Sequence, residues 1–365
     1  MSRAIRYLGT LAALVTLAGC GGNAPKAKYT IAVIPKGLTH EFWQSVNRGA
    51  EQAAKDSTEQ GISTKVVWDG PRKEDDAKEQ IDIIKINLSK RINGMVLAPQ
   101  HSETMLGPVE GAVKQGVPVV VIDSGLQNED AIVKYIATDN YHGGELAAEN
   151  LLRILREDGK TAPKIVLLRY QTGSESTDRR EEGFIKVIED EIKKQKDAGA
   201  AETITWLSKD QYAGATKTSA IEVASPLING LRDKGIDGIF APNESSAAGM
   251  LQVLRSQKLN KKVRFVGFDS SDELLQGLEA GDVDGLIIQD PYRMGYLGVW
   301  TIVQYLEGFD VTEPPSKEHP NGKYLSTGEV FLTKANLNEP AMRERIDPEF
   351  QLKRKIQPNP FTKKR

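Results

Sequence analysis

The chain has 365 residues, of which 39% are hydrophobic and 6% aromatic, and its formal net charge at pH 7 is -2. This length and composition are typical of a globular protein with room for two domains, each with its own core. The near-neutral charge argues against nucleic acid as a partner, because the broad basic surface that such a partner requires is missing.

The N-terminal residues 1–19 predict a bacterial secretory signal. Two arginines precede an apolar run at residues 8–17, which is shorter than the roughly 20 residues that span a bilayer. The run ends in Leu-Ala-Gly-Cys20, which resembles the lipobox of bacterial lipoproteins. The resemblance implies that Cys20 is acylated and becomes the mature N-terminus, followed by a polar linker at residues 20–28.

Cys20 is the only cysteine in the chain. A lone cysteine is often a small buried hydrophobe, but this one stands between a signal-like run and a polar linker. We therefore expect a lipid anchor and an extracytoplasmic or periplasmic location at a bacterial membrane. An intramolecular disulfide and a cysteine-based metal site are excluded.

From residue 29 onwards, short β-branched runs alternate with amphipathic segments, which predicts β-α units and a parallel sheet. In the first half, strands are predicted at 29–35, 64–68, 94–97, 117–122 and 133–137, and helices at 41–56, 73–88 and 103–114. A helix at 141–156 follows, with Asp139 as its N-cap.

The alternation then starts again. Strands are predicted at 164–168, 203–207, 235–240, 263–267, 285–288 and 329–332, and helices at 179–196, 216–234, 245–256, 273–278 and 292–306. One sheet containing all these strands would be unusual, so we expect two lobes with a cleft between them. Residues 339–365 form a charged, Pro-broken tail, and we interpret its basic clusters as solvated.

Polar residues follow several of the predicted strands. Asp123, Asn243, Asp269 and Gln289 each come at or shortly after the end of a buried apolar run. Ligands of open α/β sheets bind at the carboxyl ends of the strands. This pattern predicts a polar ligand at a sheet edge.

Several segments in order resemble one known family. They are Ile31 to Lys36 with His40 to Trp43, Gly116 to Asp123, Thr138 to Gly144, Arg179 to Phe184, Phe240 to Glu244, Val266 to Asp269, and Ile288-Gln289. Together they are similar to the type I periplasmic sugar-binding proteins, the ribose- and galactose-binder group that serves ABC transporters. The resemblance covers roughly residues 28–339.

The resemblance implies an α/β fold of two Rossmann-like lobes with parallel sheets, joined by hinge crossovers near 124–138, 289–291 and 323–328. The implied N-terminal lobe comprises 29–124 and 290–325, and the C-terminal lobe comprises 138–289 and 326–338. It also implies a monomer without a cofactor that closes around one sugar or polyol and is recognised by the membrane permease of an ABC importer with its ATPase.

The resemblance further implies a set of ligand contacts drawn from both lobes. They are Lys36, His40, Phe42, Trp43, Asp123, Ser124, Thr138, Arg180, Asn243, Phe268, Asp269 and Gln289. A sugar needs acceptors and donors for its hydroxyls and an apolar surface for its C–H face. Carboxylates, guanidinium, amides and aromatic rings supply these.

Each assignment has a structural alternative. We interpret Asp123 and Asp269 as ligand contacts rather than purely structural residues, because strand position and family motif agree. For Arg180 a ligand contact is favoured over pairing with Glu244 or Glu182.

The aromatic residues are less determined. Phe42 and Trp43 are adjacent at a helix start, so one can pack in the core while the other faces the cleft, and Trp43 is the predicted cleft residue. Phe268 is left open between core and ligand face. The register near Gln211 and Tyr212, where the family places another aromatic, is also open.

The sequence departs from the ribose binders at several positions. Ser124 stands where the ribose binders have an arginine, and His40 stands where they have an asparagine. Ala98 also stands in place of an asparagine and is followed closely by Gln100 and His101. Ribose itself is therefore not indicated, and other sugars, cyclic polyols, nucleosides and furanosyl signals stay open.

Two other functional classes have different sequence signatures. An enzyme is disfavoured because the four histidines show no metal-ligand spacing, no Gly-rich phosphate loop follows the first strand, and no nucleophile elbow is present. A receptor subunit that signals to a chemoreceptor or sensor kinase is not separable from a transport role by sequence.

Overall fold

The computed structural model of the protein describes residues 27–317 and 319–356, together with the backbone of residues 362–363. The predicted signal, Cys20 and most of the linker lie outside the described residues. Within the described part of the chain, no helix is long and apolar enough to cross a membrane.

The strands and helices alternate along most of the chain. The strands are β1 (Tyr29–Ile34), β2 (Thr64–Trp68), β3 (Gly94–Leu97), β4 (Val119–Ile122), β5 (Lys134–Ala137), β6 (Lys164–Arg169), β7 (Thr205–Tyr212), β8 (Gly238–Phe240), β9 (Arg264–Phe268), β10 (Gly285–Ile288), β11 (Phe309–Asp310), β12 (Tyr324–Ser326), β13 (Val330–Leu332) and β14 (Thr362–Lys363). The α-helices are α1 (Glu41–Glu59), α2 (Ala77–Ser89), α3 (Leu106–Lys114), α4 (Asn140–Glu157), α5 (Glu175–Asp197), α6 (Lys217–Leu231), α7 (Glu244–Ser256), α8 (Asp272–Ala280), α9 (Pro291–Leu306), α10 (Pro340–Ile346) and α11 (Pro348–Lys353).

Apart from β11 and β14, which pair with each other in a small antiparallel sheet, the strands form two six-stranded sheets of matching topology. The first sheet has the order β12-β5-β4-β3-β1-β2 and is parallel throughout. The second has the order β13-β10-β9-β8-β6-β7, with only β13 antiparallel to its neighbour. The predicted fold class, two α/β lobes built on parallel sheets, is confirmed.

Each sheet is covered by helices on both faces, as its strand sequences require. In β1, Ile31 and Val33 pack into one core cluster, whereas Ala32 and Ile34 pack into the cluster on the opposite face. Successive side chains of a strand point to opposite faces. An unbroken apolar run is therefore what a strand buried on both sides needs.

The lobes exchange helices at the hinge. α4 follows β5 of the first sheet but packs against α5 and the second sheet, and α9 follows β10 of the second sheet but packs back against α1. The chain accordingly passes between lobes at residues 138–139, 289–290 and 327–329.

The structure differs in detail from the sequence division. That division assigns 125–137 to neither lobe, whereas β5 pairs with β4, and it begins the second lobe at 326, whereas Ser326 pairs in the first sheet. α5 begins at Glu175 rather than 179, because its polar first turn has hydrogen-bonding partners in the other lobe. α10 and α11 lie in the tail, where the sequence predicts no helix.

Glycines allow the exchanged helices to approach closely. A Cβ at Gly49 or Gly295 would overlap a backbone carbonyl across the α1–α9 contact. A Cβ at Gly144 or Gly183 would do the same across the α4–α5 contact. The same packing device therefore fixes one helix pair in each lobe.

Replacing Gly49 with alanine tests this contact. Because the new Cβ would overlap the carbonyl of Tyr292, we expect Gly49→Ala to lower the free energy of unfolding by about 1–3 kcal/mol. Urea unfolding followed by circular dichroism measures the change. Gly111→Ala in α3 is the control, since no atom of the described residues lies within 4 Å of its added Cβ. This control should be neutral or stabilising by up to about 1 kcal/mol, and equal losses in the two variants would contradict the packing argument.

Candidate ligand-binding site

Two aspartates occupy equivalent positions at the carboxyl ends of the two sheets. Asp123 follows β4 with φ of 64°, and Asp269 follows β9 with φ of 71°. This left-handed conformation is uncommon for residues other than glycine but is tolerated by aspartate. Both residues are buried, since only 4% of the surface of Asp123 and 7% of that of Asp269 is exposed to solvent. The repeated backbone geometry presents one carboxylate from each lobe to the space between them.

A narrow cavity of about 30 Å³ lies between the two sheet edges. Most of the predicted site residues line it, namely Lys36, His40, Phe42, Trp43, Asp123, Arg180, Asn243, Asp269 and Gln289. The structure adds Glu74, Tyr170, Ser176, Thr177 and Glu244. Side chains fill most of the space between the lobes, so a ligand larger than this cavity requires the lobes to separate.

The other predicted residues lie behind this lining. The ring of Phe268 is fully buried below the Arg180 guanidinium, whose Cζ is 3.9 Å from the ring centroid. Ser124 accepts a hydrogen bond from the backbone N–H of Ser176 at 3.0 Å. Thr138 is buried in the first crossover.

Arg180 is held on several sides. Its Nε donates to Asn140 at 2.9 Å and its Nη1 to the carbonyl of Pro242 at 3.0 Å. Its Nη2 is buried, has no hydrogen-bond partner among the described residues and is 4.0 Å from Asp123 Oδ1. Glu182, the sequence-based alternative partner, pairs with the neighbouring Arg179 instead. A fixed guanidinium with an unused donor is well suited to bind a polar ligand.

Asp269 is supported by its own lobe. Its Oδ2 accepts from the backbone N–H of Glu244 at 3.0 Å, and its Oδ1 accepts from Gln289 Nε2 at 2.7 Å. Burial raises the pKa of Asp269, an effect that nearby Arg180 partly opposes. The amide oxygen of Gln289 is buried and has no hydrogen-bond partner in the part of the chain that the structure describes, so this residue has acceptor capacity left for a ligand.

Asn243 has a mixed role. It is the N-cap of α7, and its Oδ1 accepts from the backbone N–H of Ser246 at 3.1 Å. Its Nδ2 donates to the hydroxyl of Ser245 at 3.2 Å. Helix capping occupies its oxygen, so Asn243 borders the cavity mainly as a donor.

Lys36 joins the lobes across the cavity. Its ammonium lies 2.8 Å from Asp123 Oδ2 and donates to Ser174 at 3.2 Å and Ser176 at 2.9 Å, both at the start of α5. Gln100 supports the loop from behind by donating to the Lys36 carbonyl at 2.5 Å. The ion pair compensates the burial of Asp123, and the hydroxyl contacts tie it to the second lobe.

Glu74 is the central residue that the sequence did not indicate. Its carboxylate contacts the imidazole of His40 and accepts from Trp43 Nε1 at 2.6 Å and from Tyr170 Oη at 2.7 Å. Burial opposes both charges of the His40–Glu74 pair, but their mutual attraction raises the pKa of His40 and lowers that of Glu74. In the sequence Glu74 stands in the charged run 72–76, which is typical of a solvated loop.

Two aromatic interpretations can be compared with the structure. Phe42 and Trp43 both border the cavity, with ring centroids 4.8 Å apart in an edge-to-face arrangement. Tyr212 is 37% exposed and lies over the Arg169 guanidinium rather than in the cavity lining.

The predicted N-cap role of Asp139 is confirmed, because its side chain accepts from the backbone N–H of His142 at 3.0 Å.

Carboxylates cross the cleft in both directions and bind helix N-termini. Glu244 accepts from the backbone N–H groups of Glu41 and Phe42 at the start of α1, each at 3.1 Å. Glu41 in turn accepts from the N–H of Asp272 at the start of α8, also at 3.1 Å. Helix N-termini favour negative charge. These contacts link the lobes in the closed arrangement.

The described residues include no group of His, Cys, Asp and Glu side chains arranged to hold a metal ion. What the site offers is a set of directed donors and acceptors bordered by aromatic rings. Such a site recognises a polar molecule by hydrogen bonding.

Comparison with known proteins agrees with the fold and the position of the site. Residues 31–309 match the family described as periplasmic binding protein domain. The chain is 28% identical over 304 residues to a ribose import binding protein of Haemophilus influenzae, covering 83% of this chain and 94% of the relative. It is 28% identical over 251 residues to a D-apiose import binding protein of Actinobacillus succinogenes, covering 69% and 73%.

Solved structures of solute binding proteins with bound sugars are also similar to this chain. A carbohydrate transporter solute binding protein from Agrobacterium radiobacter, in complex with D-arabinose, has a TM-score of 0.76 and 32% identity and covers 88% of this chain and 99% of its own. A solute binding protein from Agrobacterium vitis with bound D-fucose has a TM-score of 0.74 and 26% identity and covers 87% and 99%. These names describe import and binding proteins rather than enzymes or signalling receptors.

The pH dependence of stability tests the buried environment of Glu244, which makes the contacts across the cleft. Burial raises its pKa from 4.5 to about 7, reinforced by Asp269 and opposed by His40. Protonated Glu244 therefore makes its full contribution to the free energy of unfolding below about pH 4.5, and this contribution is lost as the pH rises through about 7. Relative to Glu244→Gln, the wild type should lose up to about 3 kcal/mol of unfolding free energy across this range.

Urea unfolding of both proteins at a series of pH values measures this difference. Glu103→Gln is the control, because Glu103 is exposed and lies outside the cavity lining. Stability curves that run parallel for wild type and Glu244→Gln would show that the buried carboxyl has no raised pKa.

Proposed function

This chain belongs to the periplasmic binding protein family, and we propose that it captures a sugar or sugar-like polyol between its lobes and delivers it to an ABC importer. The observation that carries the proposal is the convergence of hydrogen-bonding side chains from both lobes on one buried cavity. Among these side chains, Arg180 Nη2 and Gln289 Oε1 have no hydrogen-bond partner among the described residues.

The chemistry of the lining matches a polyhydroxylated ligand. Asp123 and Asp269 accept hydrogen bonds from hydroxyl groups, and Arg180 donates to hydroxyl or ring oxygens. Gln289 can donate and accept. The adjacent aromatic rings supply the apolar surface against which the C–H face of a sugar packs.

The charge of the lining favours a neutral ligand. The cations are Lys36, His40 and Arg180, and the carboxylates are Glu74, Asp123, Glu244 and Asp269. Lys36 pairs with Asp123 and His40 pairs with Glu74. The carboxyl groups therefore outnumber the cations by one, so an acidic sugar would bury a further negative charge at a cost in free energy.

Capture requires the lobes to open and close about the crossovers. Lys36, Glu74 and Glu244 each make a contact with the opposite lobe. A ligand that bridges Asp123 and Asp269 would add further bonds of the same kind and would shift the population towards the closed form. The closed surface is then what the permease of the importer, with its ATPase, recognises.

We place the protein outside the cytoplasmic membrane as a monomeric lipoprotein. Its acylated Cys20, which lies outside the described residues, would hold it near the permease through the polar linker at residues 20–28. The family supports an extracytoplasmic location, and the lipobox-like sequence supports the anchor.

Arg180 variants test the proposed site. A thermal-shift screen with D-ribose, D-arabinose, D-fucose, D-apiose and myo-inositol first identifies a bound ligand. At a hundred times its Kd, that ligand should raise the free energy of unfolding by about 2.7 kcal/mol. We expect Arg180→Ala to weaken binding of that ligand by at least about 2 kcal/mol, or about 30-fold in Kd, in titration calorimetry, because buried acceptors lose their donor.

Arg180→Lys keeps the positive charge but loses the planar fork, so its affinity should lie between those of wild type and Arg180→Ala. Arg179→Ala is the matched control, since Arg179 is the exposed neighbour on the same helix. Unchanged affinity in both folded Arg180 variants would remove Arg180 from the site.

Cys20→Ala tests the anchor. Without the thiol there is no acylation site, so the variant should take up no radiolabelled palmitate and should leave the membrane fraction. Gly22→Ala, two residues away in the linker, is the control and should behave as wild type. Palmitate labelling of Cys20→Ala would exclude this residue as the lipid attachment site.

A further inference from the structure

A second and larger cavity adjoins the candidate site on the side of the hinge. This outer cavity has a volume of about 340 Å³, which lies within the range of roughly 300–1,000 Å³ found for small-molecule pockets. Phe42, Glu244, Asp269 and Gln289 line both cavities. A ligand held by Asp269 and Gln289 therefore has space to extend beyond them.

The C-terminal helices form one wall of the outer cavity. α10 and α11 contribute Arg345, Ile346 and Gln351, opposite the first turns of α1. The family match ends at residue 309. This wall therefore lies outside the matched segment.

The wall is tied firmly to the rest of the protein. Gln351 Oε1 accepts from Ser45 Oγ and from Arg48 Nη2, each at 3.1 Å. Arg354 forms a 2.6 Å ion pair with Asp290, whose side chain is fully buried in the second crossover. These contacts hold the C-terminal wall of the outer cavity to both α1 and the hinge.

The lining of the outer cavity suits a unit with hydroxyl groups. Gln44 and Arg48 supply donors, and Pro291 supplies an apolar surface. The carboxylates of Glu41 and Glu244 are already bound to helix N-termini. This mixture of donors, acceptors and apolar surface is the same one that recognises a sugar ring in the inner site.

We propose that the outer cavity is a second sugar subsite, and that the protein binds a disaccharide or glycoside with one ring in the inner cavity and the next ring in the outer cavity. This inference rests on the proposed function, because it assigns the first ring to the inner site.

Matched pairs of sugars test the subsite. Calorimetry would compare D-xylose with xylobiose, D-galactose with melibiose, and D-glucose with maltose and cellobiose. In at least one pair the disaccharide should bind at least about tenfold more tightly than its monosaccharide, since further hydrogen bonds form in the outer cavity.

Gln44→Trp places a large side chain at the exposed edge of the outer cavity. It should weaken that disaccharide at least about tenfold and leave the monosaccharide within about twofold. Lys55→Trp is the control, because Lys55 lies on an exposed part of α1 outside both cavities, and it should change neither affinity.

The outcomes separate this inference from the proposed function. Monosaccharides that bind as tightly as every paired disaccharide would overturn the second subsite and leave sugar capture intact, as would equal effects of Gln44→Trp on both ligands. Binding of no sugar in this panel or in the initial screen would overturn sugar capture and the subsite together.

Discussion

Burial of charge is the constraint on which the rest of this structure depends. Asp123 and Glu74 are acidic groups buried in the interface between the lobes, where an unpaired carboxylate is very costly. Their compensation comes partly from the other lobe: Tyr170 donates to Glu74, and Lys36 bridges Asp123 to Ser176. The bonds that make these buried charges tolerable are therefore the same bonds that hold the lobes together. A ligand that adds to this network is bound and drives closure by one set of interactions.

The two lobes reach this arrangement by the same route. In each, a parallel strand ends in an aspartate with positive φ, and a helix exchanged from the other half of the chain packs closely through glycines. The α4–α5 contact has a direct consequence for the site, because it brings Asn140 of α4 to Arg180 of α5. Asn140 also donates to the Asp123 carbonyl at 3.2 Å. Helix packing in one lobe thus orients a guanidinium towards the carboxylate of the other.

The hinge and the C-terminal segment complete the site. Gln289 lies in the second crossover and bonds Asp269, and the next residue, Asp290, is held by Arg354 of the tail. Opening must therefore bend a segment that carries a site residue and that the tail restrains. The tail also forms one wall of the outer cavity, so residues beyond the family match border the subsite that we propose for a second sugar ring.

The sequence by itself determined the two-lobe α/β fold and most of the cavity lining. Unbroken apolar runs at β1, β4 and β9 require burial on both faces, and a polar residue directly after such a run lies at the sheet edge whatever else the chain does. Local patterns carry that information. They carry none about Glu74, which stands in a charged run, nor about the start of α5, whose polar first turn is stabilised by partners in the other lobe. Only the tertiary structure decided these features, and the outer cavity with them, because each depends on which distant segments meet across the cleft.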